Sequence, residues 1–445
     1  MMNYQEAWTF LDNLQFFKIK LGLESMNQFL DAVGNPHRAL RFVHVAGTNG
    51  KGSVSTTLQT ILTGAGYKVG LYTSPHLSSV RERFRINDRF ISEEAFSRHA
   101  GVIRGVLGEK QITYFEFATA LALLWFVEEQ VDVAILEVGM GGRLDATNVV
   151  TPLVSVITNV SMDHEQYLGN TLAAVAFEKA GVIKPGIPVV SGVDADDSLT
   201  VVEQACRERK APLFLLGREF EAVRASEGRW EYKGITPSHS LAGLQCRLKG
   251  GYQMGNAALA LAALETISAL LPVTEEAIRQ GLLSVRWPGR LEYFCLADGK
   301  EVDCPAESVT CHTTSLRRYL LDGAHNPAGV ESLRDSLAGE FVYDRLILVW
   351  GCMADKDVGA TLMSIASLAD RIIFTRPESE RSATVEQLTA ILSDEERDKA
   401  TGTATVSEAL TLAADMAKSE DLICVAGSLY LVGAARKILL GEVAP

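Results

Sequence analysis

Short β-branched segments alternate with longer helical stretches along most of the chain, and this alternation restricts the possible folds more than any other feature. The segments 42–46, 133–138 and 154–158 are almost entirely apolar, without the alternation of a half-buried strand. Strands of this kind are buried on both faces, as they are in parallel sheets that helices cover. Because helices are predicted between them, the sequence predicts an α/β fold built on a parallel sheet.

Polar, Gly-rich stretches interrupt this alternation and divide the 445-residue chain into two parts. Residues 217–251 are rich in Gly, Arg and Ser and indicate a small antiparallel excursion or a loop region. A Pro-Gly turn follows at 287–290, and the alternation then resumes. We therefore predict two domains, which comprise residues 1–290 and 291–445. Strands of the second domain are predicted at 319–321, 346–350, 371–374, 403–406 and 422–425.

Composition excludes several classes of protein. There are 42 Lys and Arg against 55 Asp and Glu, and the net charge of −13 gives no reason to expect nucleic acid or an anionic membrane as partner. The longest apolar run, at about 117–127, is shorter than the roughly 20 residues that a membrane-spanning helix needs. The first residues lack the basic and apolar segments of a signal peptide. We expect a cytoplasmic monomer that acts on small molecules.

Seven cysteines are scattered along the chain, at positions 206, 246, 295, 304, 311, 352 and 424. An odd, dispersed set without a signal peptide is typical of reduced cytosolic thiols. Cys304, Cys311 and His312 lie near one another in sequence, but their spacing matches no zinc-binding pattern. They belong to a polar stretch, 297–315, for which the sequence indicates no function.

A glycine-rich turn follows the first of these strands and precedes a helix predicted at 53–63. It consists of Gly47, Thr48, Asn49, Gly50, Lys51, Gly52 and Ser53. Glycines let backbone amides surround phosphate oxygens, and the helix N-terminus adds partial positive charge. Lys51 would reach the outer phosphates. The turn departs from the common phosphate-loop pattern at Val45, where Gly is usual, and at Gly52, which separates the Lys from Ser53. It predicts nucleotide binding; an ordinary Gly-rich turn is the alternative.

The same turn resembles the signature of the folylpolyglutamate synthase/dihydrofolate synthase family of the Mur ligase superfamily. Further segments fit the family in the same order, namely 73–77, 114–117, 137–148, 163–164 with 178–181, and 321–327. The resemblance implies an N-terminal P-loop ATPase domain with a parallel sheet and flanking helices. It also implies a C-terminal Rossmann-like α/β domain, with the chemistry in the cleft between the two.

The activity that this resemblance implies is ATP-dependent ligation of L-glutamate to a carboxylate through an acyl phosphate. The acceptor would be dihydropteroate, the γ-carboxylate of a reduced folate, or both, and the motifs do not decide between these. A Mur-type amino-acid ligase is the alternative enzyme, and the Gly-Lys-Gly-Ser form and residues 322–326 argue against it. A non-catalytic nucleotide-binding protein is a second alternative, and it predicts loss of part of the metal-binding set.

Two Mg²⁺ ions are expected. Glu137 ends a buried strand and is followed by glycines, which suits a hard metal ligand, although a helix cap or ion-pair role is also open. The resemblance implies that Ser74 shares this ion and that His164 binds a second one, although imidazole is an unusual ligand for Mg²⁺. It also implies that Lys179 is carbamylated and so becomes an anionic oxygen ligand. An exposed helix lysine that pairs with Glu178 or with solvent is the alternative.

The remaining expected contacts also come from the resemblance. Those with ATP are Asn256, Arg290 and Asp322. Lys51, His164, Lys179 and His325 form the expected catalytic set, and His325 and Lys356 could each meet the acyl phosphate or the incoming glutamate. The positions expected to contact dihydropteroate are Thr113, Tyr114, Phe115, Glu116, Leu144, Asp145 and Ala146.

Two of these expectations leave an alternative open. Phe115 could stack on a pterin or belong to the core of the helix that it opens. Arg81, Arg83 and Arg85 alternate along the chain and could meet substrate carboxylates, but we favour a solvated basic edge.

Overall fold

The structure, a computed structural model, describes residues 2–14, 22–108, 110, 112–226, 228–304, 315–354, 358–377 and 381–441. Contacts divide the chain into two compact units. The N-terminal unit comprises Met1–His76, Val80–Arg247 and Gln253–Arg286, and the C-terminal unit comprises Leu77–Ser79, Leu248–Tyr252 and Trp287–Pro445. The boundary placed after residue 290 stays a prediction. In the described part of the chain, no helix is long and apolar enough to cross a membrane.

The N-terminal unit is built on an eight-stranded sheet. Its strands are β1 (Phe42–Ala46), β2 (Val69–Tyr72), β3 (Phe84–Ile86), β4 (Arg89–Phe90), β5 (Val133–Glu137), β6 (Val154–Ile157), β7 (Val189–Ser191) and β8 (Leu213–Leu215). They lie in the order β4-β3-β2-β5-β1-β6-β7-β8. The pairs from β2 to β8 are parallel, and β3 and β4 add an antiparallel edge. The predicted parallel sheet is confirmed, and its antiparallel edge is an addition to the prediction.

Helices cover both faces of this sheet. They are α1 (Tyr4–Asp12), α2 (Glu24–Ala32), α3 (Lys51–Gly64), α4 (Glu93–Leu107), α5 (Tyr114–Glu128), α6 (Glu165–Leu168), α7 (Leu172–Ala180), α8 (Asp196–Arg209), α9 (Tyr252–Thr266) and α10 (Glu275–Ser284). Alternate residues of β1 point to opposite layers: Phe42 packs with α4 and α5, whereas Val43 and Val45 pack with α3 and α9. This explains why the strand lacks a polar face.

A small antiparallel sheet follows in the polar stretch, which is the first of the two predicted alternatives. It contains β9 (Glu221–Arg224), β10 (Trp230–Lys233) and β11 (Leu241–Leu244), in the order β11-β10-β9. Glu265 of α9 connects this sheet to the helical layer, because its carboxylate accepts hydrogen bonds from the Tyr232 hydroxyl at 2.9 Å, the Ile235 N–H at 2.9 Å and the Thr236 N–H at 2.7 Å. Only 6% of the Glu265 side chain is exposed, so loss of this acceptor would leave the hydroxyl of the buried Tyr232 and the N–H of the half-buried Ile235 unpaired.

The C-terminal unit has a seven-stranded sheet. Its strands are β12 (Glu292–Ala297), β13 (Lys300–Val302), β14 (Arg317–Leu321), β15 (Leu346–Trp350), β16 (Arg371–Phe374), β17 (Ala400–Gly402) and β18 (Leu422–Ala426), in the order β13-β12-β14-β18-β15-β16-β17. The five strands from β14 to β17 are parallel, and the β12–β13 hairpin pairs antiparallel with β14. The flanking helices are α11 (Pro327–Gly339), α12 (Val358–Ala366), α13 (Val385–Ile391), α14 (Asp394–Arg397), α15 (Val406–Met416) and α16 (Leu429–Leu440).

One predicted strand is wrong. Residues 403–406 are not a strand: β17 lies earlier, and α15 begins at Val406. Thr405 caps α15, because its side chain accepts the Glu408 N–H and the Glu408 carboxylate accepts the Thr405 N–H. Two of the three β-branched residues in this segment, Thr405 and Val406, are therefore a helix cap and the first residue of the helix.

The expectation of seven reduced thiols is also wrong in the structure. Cys295 of β12 and Cys304, just after β13, form a disulfide. The hairpin between the two strands brings these residues together, which their separation in sequence did not reveal. Cys206 and Cys424 are free thiols, while Cys311 and His312 lie outside the described residues.

Glu265 provides a test of how the small sheet is held. We expect Glu265→Gln to lower the free energy of unfolding by about 1–3 kcal/mol, because one acceptor oxygen is replaced by an amide donor that faces the N–H groups of Ile235 and Thr236 or the Tyr232 hydroxyl. Urea unfolding measures this change. Glu231→Gln, at an exposed position of β10, removes the same charge and is the control. Equal stability of the two variants would contradict the proposed role of Glu265.

Candidate active site

Parallel strands of the N-terminal unit deliver the predicted site residues to one edge of the sheet. β1 leads into Gly47, β2 into Ser74 and β6 into Thr158, while β5 ends at Glu137. The order β2-β5-β1-β6 makes these four strands neighbours, so their carboxyl ends lie side by side. Ligands of open α/β sheets bind at this edge.

Two glycines of the Gly47–Ser53 turn, Gly47 and Gly50, are required by its geometry. Gly47 has a φ of +147°, and a Cβ there would lie 1.8 Å from the Thr158 hydroxyl. Gly50 has a φ of +82°, and a Cβ there would lie 2.5 Å from Asn256 Oδ1. Both positions combine a backbone conformation that favours glycine with close packing. The turn therefore lies directly against the residues after β6 and against α9.

Hydrogen bonds hold the turn in place. The Thr48 N–H donates to the Asn159 carbonyl at 3.1 Å, and the Asn49 N–H donates to Asn159 Oδ1 at 2.9 Å. Lys51 lies at the first residue of α3, and its ammonium donates to the carbonyls of Gly47 at 3.0 Å and Thr48 at 2.9 Å. The amine is thus held over the loop whose amides would surround phosphate oxygens.

Asn256 is connected to this turn through two side chains. Gln253 donates to the Ser53 hydroxyl at 3.1 Å and accepts from the Asn256 amide at 2.9 Å. All three residues are at most 8% exposed. The structure therefore brings Asn256 to the predicted phosphate loop, although the two lie some 200 positions apart in the chain.

Ser74 and Glu137 meet after β2 and β5. Glu137 is 4% exposed, and its Oε2 accepts the Ser74 N–H at 3.0 Å. A carboxylate and a hydroxyl are hard oxygen donors, and Mg²⁺ in proteins commonly takes one or two such ligands and completes its shell with water and phosphate. The donor set fits Mg²⁺ in this way. In the described part of the chain, no three His, Cys, Asp or Glu side chains cluster as a complete metal cage.

Lys179 is buried in α7, not exposed as the alternative interpretation assumed; it is 3% exposed. Burial, reinforced by the positive charge of Lys51, lowers the pKa of Lys179 to about 7, and Asp163 opposes part of this shift. The structure therefore brings Lys179, Lys51 and Asp163 together. Glu178 pairs instead with Arg143, at 2.8 Å.

His164 follows Asp163 in the loop before α6. It has a φ of 52°, its backbone N–H donates to Asp163 Oδ1 at 2.9 Å, and 40% of its side chain is exposed. Its Nε2 lies 3.8 Å from Asp163 Oδ2. The imidazole is thus accessible and lies beside the acid that interacts with Lys179.

The first segment of the expected pterin site lies at the start of α5. Thr113 caps this helix with Glu116, whose Oε2 accepts the Thr113 N–H at 2.7 Å. Glu116 is 3% exposed, and its Oε1 has no hydrogen-bond partner among the described residues. Tyr114 is buried and Phe115 is half-buried. A Cβ at Gly139 would lie 2.5 Å from the Phe115 ring, so the ring packs on the loop after Glu137.

The second segment is in that loop. Asp145 is 7% exposed, and both of its oxygens accept hydrogen bonds from the protein. Leu144 is half-buried and Ala146 is buried. Arg143 connects the loop to α7, because its N–H donates to the Glu178 carbonyl at 2.7 Å. The structure brings the two expected pterin segments together through Phe115 and Gly139.

Arg83 differs from the solvated basic edge that we favoured. It is 3% exposed, its Nε donates to His76 Nδ1 at 2.8 Å, and its guanidinium lies 5.2 Å from the centre of the Tyr114 ring. Arg81 and Arg85 are half-buried. Spacing alone could not distinguish Arg83, because its burial depends on Tyr114, which is distant in the chain.

Arg290, Asp322 and His325 belong to the C-terminal unit. Asp322 follows β14, and its carboxylate accepts the N–H groups of Leu291 and Ala324, each at 2.8 Å. Burial raises the pKa of Asp322, and the nearby charge of Arg290 opposes this. The His325 Nδ1 donates to the Gly323 carbonyl at 2.7 Å. Arg290 and Asp322 therefore lie together, while Lys356 is outside the described residues.

Comparisons with known proteins agree with this arrangement. The Mur ligase middle domain matches residues 45–264, and the Mur ligase glutamate ligase domain matches residues 309–429. The chain is 32% identical over 450 residues to the dihydrofolate synthase/folylpolyglutamate synthase of Bacillus subtilis, a match that covers 98% of this chain and 99% of that protein. The chain belongs to the folylpolyglutamate synthase/dihydrofolate synthase family, within the Mur ligase superfamily.

A solved structure of this family has the same fold. The Escherichia coli FolC structure in complex with DHPP and ADP matches with a TM-score of 0.84 and 33% identity, and covers 99% of each chain. Another relative is longer. The probable bifunctional folylpolyglutamate synthase/dihydropteroate synthase of Haloferax volcanii is 35% identical over 459 residues, but this chain spans only 51% of its length.

Residue spacing gave no reason to expect Lys179 to be buried, because a lysine in a helix is usually exposed. Glu178 and Lys179 differ in environment because Arg143, from the loop after β5, pairs with Glu178 alone. Lys179 instead interacts with Lys51 and Asp163, which lie in other segments of the chain, so the sequence of the helix alone gives no sign of its environment.

Burial of Lys179 predicts a pH dependence of stability. Its folded pKa, about 7, is below the unfolded value, so between these values the unfolded chain binds more protons and stability rises with pH. From about pH 7 to pH 9, wild type should gain about 2 kcal/mol relative to Lys179→Met in carbonate-free buffer. Urea unfolding across this range measures the difference. Lys300→Met, at an exposed position, should follow wild type; parallel curves for wild type and Lys179→Met would contradict the lowered pKa.

Proposed function

We propose that this protein is an ATP-dependent ligase that joins L-glutamate to dihydropteroate, to the γ-carboxylate of reduced folates, or to both. The observation that carries the proposal is the meeting of the Gly47–Ser53 turn with Glu137 and Lys179 at one sheet edge. The pterin-contact candidates at the start of α5 pack on the loop after Glu137. This arrangement offers a phosphate cradle next to a site for a flat acceptor.

The proposed reaction has two steps. An oxygen of the acceptor carboxylate attacks the γ-phosphorus of ATP, which gives an acyl phosphate and releases ADP. The glutamate amine then attacks the acyl carbon, phosphate leaves, and the amine loses a proton. Phosphoryl transfer depends on positioning and on charge stabilisation more than on covalent help from the protein. The backbone amides of the turn and the Lys51 ammonium supply both.

Ser74 and Glu137 would hold one Mg²⁺, and His164 with carbamylated Lys179 would hold a second. Bound there, Mg²⁺ would neutralise charge on the transferring phosphate oxygens. The Ser74 and Glu137 oxygens support the first assignment because their chemistry suits this ion. The second assignment rests on the family resemblance and on the accessible His164 side chain.

Carbamylation of Lys179 is supported by its environment. The neutral amine is the form that attacks CO₂, and it forms an N–C bond with loss of a proton. With a pKa of about 7, a substantial fraction of Lys179 is neutral at physiological pH. The product is an anion, so its formation would replace repulsion of Lys51 by attraction. It would also supply oxygen ligands in place of a cation.

The acceptor site is proposed at Thr113, Phe115 and Glu116. A pterin carries adjacent N–H donors, and the buried Oε1 of Glu116, which has no partner in the described part of the chain, is a suitable acceptor for one of them. The half-buried Phe115 ring could stack on the flat heterocycle. Arg83 is buried without a carboxylate partner among the described residues, and we propose that it meets a substrate carboxylate.

The nucleotide contacts are proposed at the Gly47–Ser53 turn and Asn256 in the N-terminal unit, and at Arg290 and Asp322 in the C-terminal unit. His325 is proposed to meet the acyl phosphate or the glutamate. We further propose a cytoplasmic monomer that uses neither nucleic acid nor membrane as partner. Its acidic balance supports this proposal, whereas the Cys295–Cys304 disulfide is unusual for the cytosol.

ADP release by purified protein tests the function. The protein is incubated with ATP, Mg²⁺ and L-glutamate, in parallel with dihydropteroate and with tetrahydrofolate, and the products are identified by mass. Release with both acceptors is the expected result for a bifunctional enzyme, while release with one assigns a single activity. Release with neither, while ATP still binds, would contradict the proposed acceptor class.

Glu137→Gln tests the metal assignment in the same assay. It keeps the shape of the side chain but removes the charge proposed to hold Mg²⁺, so we expect kcat to fall by about 100-fold or more. Glu94→Gln, at an exposed position of α4, removes the same charge and should leave the rate unchanged. A Glu137→Gln variant with the wild-type rate would remove the metal assignment but not the ligase activity.

The carbamate has a direct spectroscopic test. With ¹³C-labelled bicarbonate near neutral pH, ¹³C NMR of wild type should show one slowly exchanging carbamate resonance that is absent from Lys179→Met. Lys184→Met is the matched control, because burial also lowers the pKa of Lys184. Absence of the resonance in wild type, together with full activity of Lys179→Met, would contradict carbamylation.

A further inference from the structure

His44 has no role in the site as described above, yet it is a fully buried imidazole in the middle of β1. It pairs with Leu136 of β5 on one side and with Ser155 of β6 on the other. Its Nε2 lies 2.8 Å from the Thr147 hydroxyl, which is also fully buried. An apolar side chain would fit the surroundings of this strand better, so the imidazole needs an explanation.

The Thr147 hydroxyl connects His44 to Asp145. The Oδ1 of Asp145 accepts from the Thr147 hydroxyl at 2.5 Å and from the Thr147 N–H at 3.0 Å. Its Oδ2 accepts the N–H groups of Gly139 and Met140, both at 3.0 Å. A continuous chain of hydrogen bonds therefore runs from the His44 ring through Thr147 and Asp145 to the backbone of the loop after Glu137. We call this chain of hydrogen bonds the relay.

The direction of each hydrogen bond in this relay follows from its chemistry. Burial raises the pKa of Asp145, and its hydrogen bonds with Thr147, Met140 and Gly139 oppose this shift. Both Asp145 oxygens accept backbone N–H groups, so the carboxyl group acts as the acceptor and the Thr147 hydroxyl donates its proton to it. The hydroxyl oxygen must then accept from His44, which requires the tautomer protonated at Nε2. The other nitrogen, Nδ1, is buried and has no partner among the described residues, as expected for a ring that stays neutral. Burial lowers the pKa of His44 to about 3.

The end of the relay lies next to the proposed acceptor site. Gly139 and Met140 follow Glu137 closely, and the Phe115 ring packs on Gly139 so tightly that a Cβ there would lie 2.5 Å from it. Movement of the Gly139 backbone would therefore displace Phe115. The phosphate loop, in contrast, is held by Asn159 and Asn256, which are not part of the relay.

We propose that His44 is a positioning residue that, through Thr147 and Asp145, holds the Gly139–Met140 backbone where Phe115 can meet the acceptor. This inference rests on the proposed function for its substrate. It assigns the Asp145 carboxylate to supporting the loop, with its oxygens directed to protein donors. According to this proposal, the relay supports binding of the acceptor and does not support binding of ATP.

Paired variants test the relay. His44→Leu and Thr147→Val remove the hydrogen bonds at similar size, whereas His44→Gln and Thr147→Ser keep a donor and a hydroxyl. We expect the first pair to raise KM for the acceptor by about tenfold or more, with KM for ATP within about twofold of wild type. The second pair should restore the acceptor KM to within about threefold. The double variant His44→Leu/Thr147→Val should be no worse than either single variant, because the two residues act in one relay.

Two results would overturn the proposal. One is an acceptor KM unchanged in His44→Leu and Thr147→Val. The other is a parallel loss of acceptor and ATP affinity in proportion to a lowered Tm, which would indicate a purely structural histidine.

Hydrogen exchange tests the relay without any substrate. It therefore still decides this proposal if the wild-type protein ligates neither acceptor and the proposed function fails. The backbone N–H groups of Gly139 and Met140 should exchange faster in Thr147→Val than in wild type, and Thr147→Ser should restore their protection. Unchanged exchange in Thr147→Val would contradict the relay, whatever the substrate of the enzyme.

Discussion

The order of four parallel strands, β2-β5-β1-β6, is the constraint on which the rest of the candidate site depends. It places the residues that follow each strand side by side, although they come from positions as far apart as 47 and 158. Nothing local to the glycine-rich turn brings Glu137 or Ser74 near it. The hydrogen-bond ladders between buried apolar strands do so, and they fix the register because both faces are covered.

Two loops at this edge, the Gly47–Ser53 turn and the loop after Glu137, form separate parts of the candidate site. The Gly47–Ser53 turn packs so closely on Thr158 and Asn256 that side chains at Gly47 and Gly50 have no room. The loop after Glu137 is held by Asp145 and packs on both Phe115 and α7. We propose that the first loop presents its backbone amides to phosphates. The second connects a metal-ligand candidate, an acceptor-site candidate and the helix that carries Lys179.

Strand positions could be predicted from the sequence because buried parallel strands are continuous apolar runs with clear ends. The strands 346–350 and 371–374 have the predicted bounds. The strand expected at 403–406 was wrong because Thr405 and Val406 are β-branched, and propensity does not distinguish a strand residue from a helix cap.

The environment of the site residues was harder to predict than their identity. Lys179 and Arg83 are buried beside residues from other segments of the chain: Lys179 interacts with Lys51 and Asp163, and Arg83 lies over the Tyr114 ring. The Cys295–Cys304 disulfide depends on a hairpin that the sequence did not reveal. Motif order identified the family, but the roles of individual residues stay predictions because spacing does not specify which atoms face a ligand.

A crystal structure with a non-hydrolysable ATP analogue, Mn²⁺ and dihydropteroate would test the central claim most directly. The account predicts phosphates on the backbone amides of Gly47–Ser53, an anomalous Mn²⁺ peak in contact with Glu137, and the pterin against Phe115. Nucleotide bound with ordered phosphates elsewhere, or on this turn with no metal at Glu137, would contradict the account.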